Sequence, residues 1–499
     1  MKKLYCGVDL GTSSVKTVAY DKSFYPIFKF VKEYQLQNIE ENHAELNPDE
    51  VLSKTVETLK DLVIRANQES YQIQFISFSS ALHSLIAVGQ DYKPLTGCLT
   101  WADSRAMEFK SELENFYYKE GIYQKTGCPP HAMYMPAKIL WIKKYRPELA
   151  RKTAKYITIK EYILYKLTSQ KMVDYSLAGA GGLMNINKLR WENKVLDFLE
   201  ISSDHLGQLV DAKKQVNFNE YALDCIGADI PVIIGSGDGP LANLGSGSFQ
   251  RNDYVITIGT SGAVRKFSNS PVFDKNQRTW CYMLDEDIYL PGGAINNGGL
   301  VLNWIKNNFY QELNSEDEFF IRLENALIDS PPGSNRLFFL PFLTGERSPN
   351  WESITRGIIL GLGLNHGRQE IVKAAVEGIV MRINAVYQAL DEMLDEDGKI
   401  IATGGFTRSE AWLQILADIL GKKVYSFQNH EASAAGAAML GAVAVGEISD
   451  YGSIEVNFEI KSVKEPDYHN HIKYQKLFAL HQKIYQKNRD IFTELQALN

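Results

Sequence analysis

The chain has 499 residues, 45% of them hydrophobic and 23% charged, with a formal net charge of -7. That length exceeds one ordinary hydrophobic core and predicts two or three domains. The acidic balance argues against a general nucleic-acid binder, which shows a basic face, and no apolar run reaches the 18 or so residues of a membrane span.

Taken in chain order, Met1-Lys2-Lys3 is basic, but Asp9 interrupts the following apolar run too early for a signal-peptide core. Leu4 to Asp9 reads as a buried strand ending at Gly11. The turn Gly11-Thr12-Ser13-Ser14 leads into a second strand, Val15 to Tyr20. After a long polar stretch, Asn47-Pro48 opens a helix, since Pro suits a first helical turn. Ile73–Ser80 and Leu85–Val88 read as further strands. The small polar run Gly245-Ser246-Gly247-Ser248 then closes one half, with the boundary expected near Ser246–Asp253.

The second half begins as the first did. Tyr254–Ile258 is a strand, Gly259-Thr260-Ser261-Gly262 a turn, and Ala263–Phe267 a strand. Two Gly-Thr-Ser turns about half the chain apart, each between apolar strands, point to a duplicated unit; two unrelated hairpins would also use these common turn residues. Val372, Val376, Ile379, Ile383, Val386 and Leu390 follow the spacing of a buried helical stripe. Ile400–Thr403 is a strand running into Gly404-Gly405, followed by a helix from Ser409 to Leu420. Strands and helices mixed in both halves make this an α/β protein. Five scattered cysteines, Cys6, Cys98, Cys128, Cys225 and Cys281, lack Cys-x-x-Cys spacing and read as the reduced thiols of a cytoplasmic protein.

The two turns carry the first chemistry. Gly beside small hydroxyl residues lets backbone N–H groups converge on a phosphate chain. Gly11, Thr12 and Ser13, and Gly259, Thr260 and Ser261, meet that need, and Lys16 adds a cation near the first turn. Asp9 stands two positions before the first turn, where the second has Thr257, so only one half brings a carboxylate suited to Mg²⁺. The P-loop pattern is absent, and the start at Gly361-Leu362-Gly363 fails as a dinucleotide fingerprint because His366 replaces its third Gly.

Gly235-Ser236-Gly237-Asp238-Gly239-Pro240 places an Asp among glycines after the apolar run Val232–Ile234. Asp238 is either a turn former or a base that takes a hydroxyl proton during phosphoryl transfer. Trp101-Ala102-Asp103-Ser104-Arg105 offers an aromatic wall and charged groups for a polyol, or else a surface Asp–Arg pair. His83, after Ser79-Ser80, is a further substrate contact or a structural histidine.

Together these segments resemble the FGGY carbohydrate kinases, from Tyr5 to about Gly446. Asp9–Ser14 and Ile258–Gly262 look like the family's two phosphate motifs, and Gly237-Asp238 with Ala242 and Gly245 like the segment of its catalytic base. Gly345-Glu346-Arg347-Ser348-Pro349-Asn350-Trp351, Arg356-Gly357, Gly361-Leu362 and Glu377-Gly378 resemble its C-terminal signature, with Lys373-Ala374 in place of the usual Arg-Ala. The resemblance implies two actin-like (ribonuclease H-like) domains, residues 1–246 and 253–446, closing on ATP and sugar, with a helical tail over 447–499.

By the same resemblance, Asp238 is the base and contacts Mg²⁺ with Asp9. Gly404, Gly405, Asn297 and Gly298 line or approach the nucleoside pocket, and His83, Trp101, Asp103 and Arg105 meet the substrate. ATP, Mg²⁺ and a sugar or sugar acid are the implied ligands, with no nucleic acid or membrane partner and a homodimer as the expected assembly. Within the family the chain looks most like gluconokinases, on Ala81–Ser84, Thr100–Asp103, Lys125–Pro129, Lys160–Tyr162 and Asn296–Gly299. Gluconate is an anion, so its pocket needs an unpaired cation, for which Arg105, Lys160 and Arg265 are candidates. A pentulose kinase of the xylulokinase type is the alternative, and an actin-like ATPase or an inactive sugar sensor is the alternative of a different class.

Overall fold

In the computed structural model, which describes residues 2–37, 42–249, 253–313, 315–394, 398–428, 431–454 and 459–498, each half of the chain is organised around one mixed sheet. The first contains β1 (Lys2–Leu10), β2 (Ser14–Tyr20), β3 (Pro26–Glu33), β4 (Tyr71–Ser80), β5 (Gln215–Val216) and β6 (Val232–Gly237), in the order β5-β6-β4-β1-β2-β3. The second contains β7 (Tyr254–Ile258), β8 (Gly262–Arg265), β9 (Trp280–Met283), β10 (Tyr289–Ile295), β11 (Ile400–Thr403), β12 (Val424–Phe427) and β13 (Ile460–Lys464), in the order β9-β10-β8-β7-β11-β12-β13.

The two sheets repeat one plan. In each, three strands run antiparallel through the Gly-Thr-Ser hairpin, β1-β2-β3 in one and β7-β8-β10 in the other. Two parallel strands follow on the other side, β4 and β6 or β11 and β12. Each set ends in an antiparallel strand. Shared order and shared direction over six strands favour duplication over two unrelated hairpins.

The predicted elements appear with small changes. Helix α1 (Pro48–Gln68) is capped by the Asn47 side chain, which accepts hydrogen bonds from the N–H groups of Asp49 and Glu50. Strand β8 ends at Arg265, short of the expected Phe267. Ile86–Val88 pairs with Lys155–Ile157 outside the main sheet. Two strands lie in stretches read as polar or as tail, β3 and β13. Both are exposed edges that turn Lys side chains outward, a common way to blunt an edge.

Several helices position the site: α2 (Tyr175–Ala180), α3 (Asp238–Gly245), α4 (Arg368–Leu394), α5 (Glu410–Leu420), α6 (Ala432–Ala444) and α7 (Tyr468–Lys487). The stripe of α4 is buried as predicted, but so is most of its circumference, with Lys373, Glu377, Arg382 and Asn384 also inside. Tyr474 and Phe478 of α7 join the core formed by α4 and α5, so the tail packs as a helix on the second half.

Helix α6 does not follow the division of the sequence. It comes from the second half, yet lies on β1 and crosses α3 at backbone contact. A Cβ on Gly7 would stand 1.9 Å from the Ala434 carbonyl oxygen, and one on Gly436 would stand 1.9 Å from that of Leu241. One on Gly245 would meet the Ala432 oxygen at the same distance. Of the expected boundary, residues 250–252 lie outside the described residues. Among the described residues no helix is long and apolar enough to cross a membrane, and the five cysteines are free thiols.

Candidate active site

Two carboxylates emerge at one edge of the first sheet. Asp9 sits near the end of β1, and Asp238 opens α3 directly after β6. Both strands run parallel to β4 between them, whose Ser79 and Ser80 are in register with Asp9 and Gly237. The two main chains are therefore two strand spacings apart, about 10 Å. Asp9 accepts a hydrogen bond from Ser79 Oγ at 2.8 Å, and Asp238 from the Gly239 N–H at 2.7 Å.

Burial raises the pKa of Asp9, opposed by the Ser79 hydrogen bond and the Lys16 charge. Asp238 is pushed up to about 6 by burial and by the Asp9 charge, against the pull of Arg265. Among the described residues neither carboxylate has a cationic side chain within 4.0 Å. Such a pair fits Mg²⁺, which takes one or two carboxylates and keeps several waters. Three potential ligands do not cluster anywhere among the described residues.

Of the two phosphate turns, the second is open. Nothing lies within 4 Å of a Cβ built on Gly259 or Gly405. The Gly259 turn is buttressed from below, its carbonyl accepting the Gly299 N–H at 2.7 Å and that of Thr260 accepting the Gly298 N–H at 3.1 Å. Beside it opens a cavity of about 200 Å³ lined by Gly259, Thr260, Asn303, Phe320, Gly405 and Trp412 among others. Gly404, at φ 101, lets β11 end against β7, where a Cβ would lie 2.4 Å from the Ile258 oxygen.

Two expected nucleotide contacts are otherwise engaged. Asn297 is fully buried, its amide donating to the Gly345 oxygen at 2.7 Å and its Oδ1 accepting the Thr344 N–H at 3.2 Å. It secures the 344–345 segment instead of facing the cavity. The Lys16 ammonium is 2.7 Å from Glu431 at the start of α6, a carboxylate that also binds Lys29 at 2.5 Å. On the first turn, Gly11 donates to the Ser14 oxygen at 3.0 Å, and Tyr34 braces it by donating to the Gly11 oxygen.

The expected substrate loop splits in the same way. Asp103 and Arg105 form an internal bidentate pair, Nε to Oδ1 at 2.9 Å and Nη2 to Oδ2 at 2.7 Å, and Arg105 also binds Glu45 at 2.6 Å. With Asp103 also accepting the Ala44 N–H, both side chains are chiefly engaged in closing the loop. Lys160 is likewise buried against Asp174 at 2.7 Å. Of the three candidate cations only Arg265 has no carboxylate within 4.0 Å among the described residues; its Nη1 donates to Thr257 Oγ1 at 3.4 Å. Its Nε would stand 3.5 Å from a Cβ on Gly239, next to Asp238.

His83 is buried at φ 64, its Nδ1 3.0 Å from the Ala180 oxygen of α2 and its Nε2 3.4 Å from the Tyr282 hydroxyl. Burial and neighbouring cations lower its pKa to about 3, so the ring is neutral and Nδ1 carries the donated proton. Two residues here were not singled out by the sequence. The buried Lys138 donates to the backbone oxygens of His83 at 2.5 Å and Thr100 at 2.7 Å, tying the His83 and Trp101 loops together. Arg347 lies over the Trp101 ring at 5.3 Å, with no carboxylate within 4.0 Å among the described residues. Its place in the 345–351 segment was a signal for it; Lys138 had none.

Comparison with known proteins gives a consistent result. Residues 4–245 match the model of the N-terminal domain of the FGGY family of carbohydrate kinases, and residues 254–445 match that of its C-terminal domain. A gluconokinase from Bacillus licheniformis is 36% identical over 489 residues, 96% of this chain and 95% of its own. A solved structure of gluconate kinase from Lactobacillus acidophilus superposes with a TM-score of 0.92 at 30% identity, covering 99% of this chain and 100% of that one. A ligand-bound xylulose kinase structure from the same organism gives the same TM-score, identity and coverage.

Proposed function

Because the chain belongs to the FGGY family of carbohydrate kinases, and is therefore an ATP-dependent sugar kinase, we propose that its acceptor is D-gluconate and its product 6-phosphogluconate. The observation that carries the substrate is Arg265: a buried guanidinium beside Asp238, with no carboxylate within ion-pair distance among the described residues. Asp238 offsets this charge only beyond ion-pair distance, so the buried guanidinium favours an anionic acceptor in the cleft over a neutral one. The resemblance to gluconokinases supports the same reading.

In this reading Asp238 is the general base. It accepts the proton of the terminal hydroxyl as that oxygen bonds to the γ-phosphorus and the bond to the β,γ-bridging oxygen of ATP breaks, leaving ADP. A carboxyl pushed up to about 6 is ionised at neutral pH yet more basic than an ordinary one. Asp9, with Asp238, would hold Mg²⁺, which when bound neutralises phosphate charge. Gly259 and Thr260 supply backbone to the phosphates, and the cavity beside Gly405 takes the nucleoside. Gly11, Thr12 and Ser13 face the phosphates from the first half. Trp101 and His83 form the sugar wall, and Asn297, Asp103 and Arg105 shape the loops behind it.

The likeness to a xylulose kinase structure favours a pentulose as the second reading. A coupled ADP-release assay with gluconate, xylulose, ribulose and glycerol separates the two. Gluconate is expected to give the highest kcat/KM by at least about tenfold, the effect of one well-placed charged contact. Turnover of xylulose but not gluconate would replace this assignment with the second.

A further inference from the structure

We propose that Arg347 is the residue that reads the acceptor's carboxylate, so that the row Asp238, Arg265, Arg347 selects linear aldonates carrying the acid group at one end and the phosphorylated hydroxyl at the other. This rests on the gluconate reading above and adds to it the residue, the orientation and the substrate class.

Arg347 is only 9% exposed and is held firmly. Its Nε donates to Asn296 Oδ1 at 2.7 Å and its Nη2 to the Ile295 oxygen at 3.2 Å. No hydrogen bond of Nη1 to a described residue is present. The adjacent Glu346 is the main negative charge that Arg347 feels, but makes no ion pair with it. That carboxylate accepts the backbone N–H groups of Asn296 and Arg347 and faces Arg382 at 3.7 Å. The guanidinium is therefore aimed and packed over Trp101, and shares the charge of Glu346 with Arg382 without an ion pair of its own.

The order of the row follows from neighbours. Arg265 stands against Gly239 and so next to Asp238. Asp238 feels the charge of Arg265, and Arg265 that of Asp238, Arg347 and the Tyr282 hydroxyl, whereas Arg347 feels Glu346 first, then Tyr282 and Tyr134, and Asp238 is not among its charged neighbours. The Tyr134 and Tyr282 hydroxyls are 2.9 Å apart, and His83 packs edgewise on both rings. An acceptor with its reacting hydroxyl at Asp238 thus runs past Arg265 toward the buried Tyr134, Tyr282 and His83 cluster and a second guanidinium without an ion pair of its own. Two buried like charges repel; one anion between them or on the farther one relieves both. An arginine held by its other nitrogens is suited to a carboxylate, which it meets through a planar fork.

The test compares gluconate with its neutral amide, gluconamide, in steady-state kinetics of the wild type, R347Q and R347K. The wild type is expected to prefer gluconate. R347Q should raise the gluconate KM by about 30-fold or more, as loss of one partner of a buried charge pair does, while kcat and the gluconamide KM change by less than about threefold. R347K keeps the charge but loses the fork, and should raise the gluconate KM alone by about tenfold. It carries the test if R347Q does not fold. Equal losses on both substrates in the folded variant, or an unchanged preference for gluconate, overturns the role of Arg347 while leaving the gluconate reading in place. A wild type that turns over xylulose and not gluconate defeats that reading instead.

Discussion

In the role proposed for it, Asp238 trades stability for chemistry. Its carboxyl has an ordinary value of 3.8 in the unfolded chain and about 6 in the folded one. Between those values the folded state binds more protons, so stability falls as pH rises through this window, and the full cost remains above pH 6. Asp238→Asn removes that cost. It is expected to raise Tm at pH 8, with the gain disappearing near pH 4, while turnover drops by about 10²–10⁴-fold; thermal melts at both pH values and the ADP-release assay check the two halves. The wild-type kcat/KM should lose its activity on the acid side near pH 6. Asp9 and Asp238 were readable because each follows an apolar strand and precedes glycine-rich backbone, a local pattern. Arg347 and Lys138 act through packing between segments far apart in sequence. Asp103 and Arg105 were open to two readings, substrate contact or surface ion pair; they do pair, but inside the loop and with Glu45 as well.

At the scale of elements, the crossing of α3 and α6 depends on glycine. In most helices Gly→Ala is favourable by about 1 kcal/mol. At Gly436 the new methyl would stand 1.9 Å from the Leu241 carbonyl oxygen, an atom fixed in another helix. Overpacking of this kind costs about 1–3 kcal/mol, so the steric term wins and G436A is expected to lower Tm by several degrees, measured by calorimetry. Helix α6, rich in Ala and Gly, is buried on nearly every side and has no stripe to reveal which sheet it covers. Strand β3 was legible in principle: Pro26-Ile27-Phe28-Lys29-Phe30-Val31-Lys32-Glu33 alternates in exposure over its second half, as an edge strand does. The α4 stripe was read correctly because its period is plain, though its polar positions proved to be inside as well.

For the whole molecule, the repeated Gly-Thr-Ser hairpin foretold two sheets of one plan, and the sheets differ where the chemistry does. Thr257 takes the place of Asp9 and is tied to Thr403 at 2.8 Å, so one half brings carboxylates and the other the open cavity proposed for the nucleotide. The sequence boundary and the spatial one diverge, because α6 returns to cover β1. Residues 1–249 expressed alone would expose that apolar face and are expected to lose cooperative unfolding and to bind an environment-sensitive dye; a sharp melt without dye binding would contradict this packing argument. The substrate was the least legible feature, since it depends on which of several cations lacks a partner, and only distances decide that.

The crossing also has the geometry of an axle. Asp238 opens the eight-residue α3, and Leu241 and Gly245 of the same helix press on α6. At 1.5 Å per residue the base lies no more than about 12 Å along the shaft from its bearing. Were one half to swing against the other about that point, the Gly259–Gly405 cavity would move through a long arc and Asp238, the proposed base, through a short one. On the proposed roles, the hydroxyl and its base would keep their alignment while the phosphate donor travelled, placing the burden of precise motion on ATP and sparing the sugar.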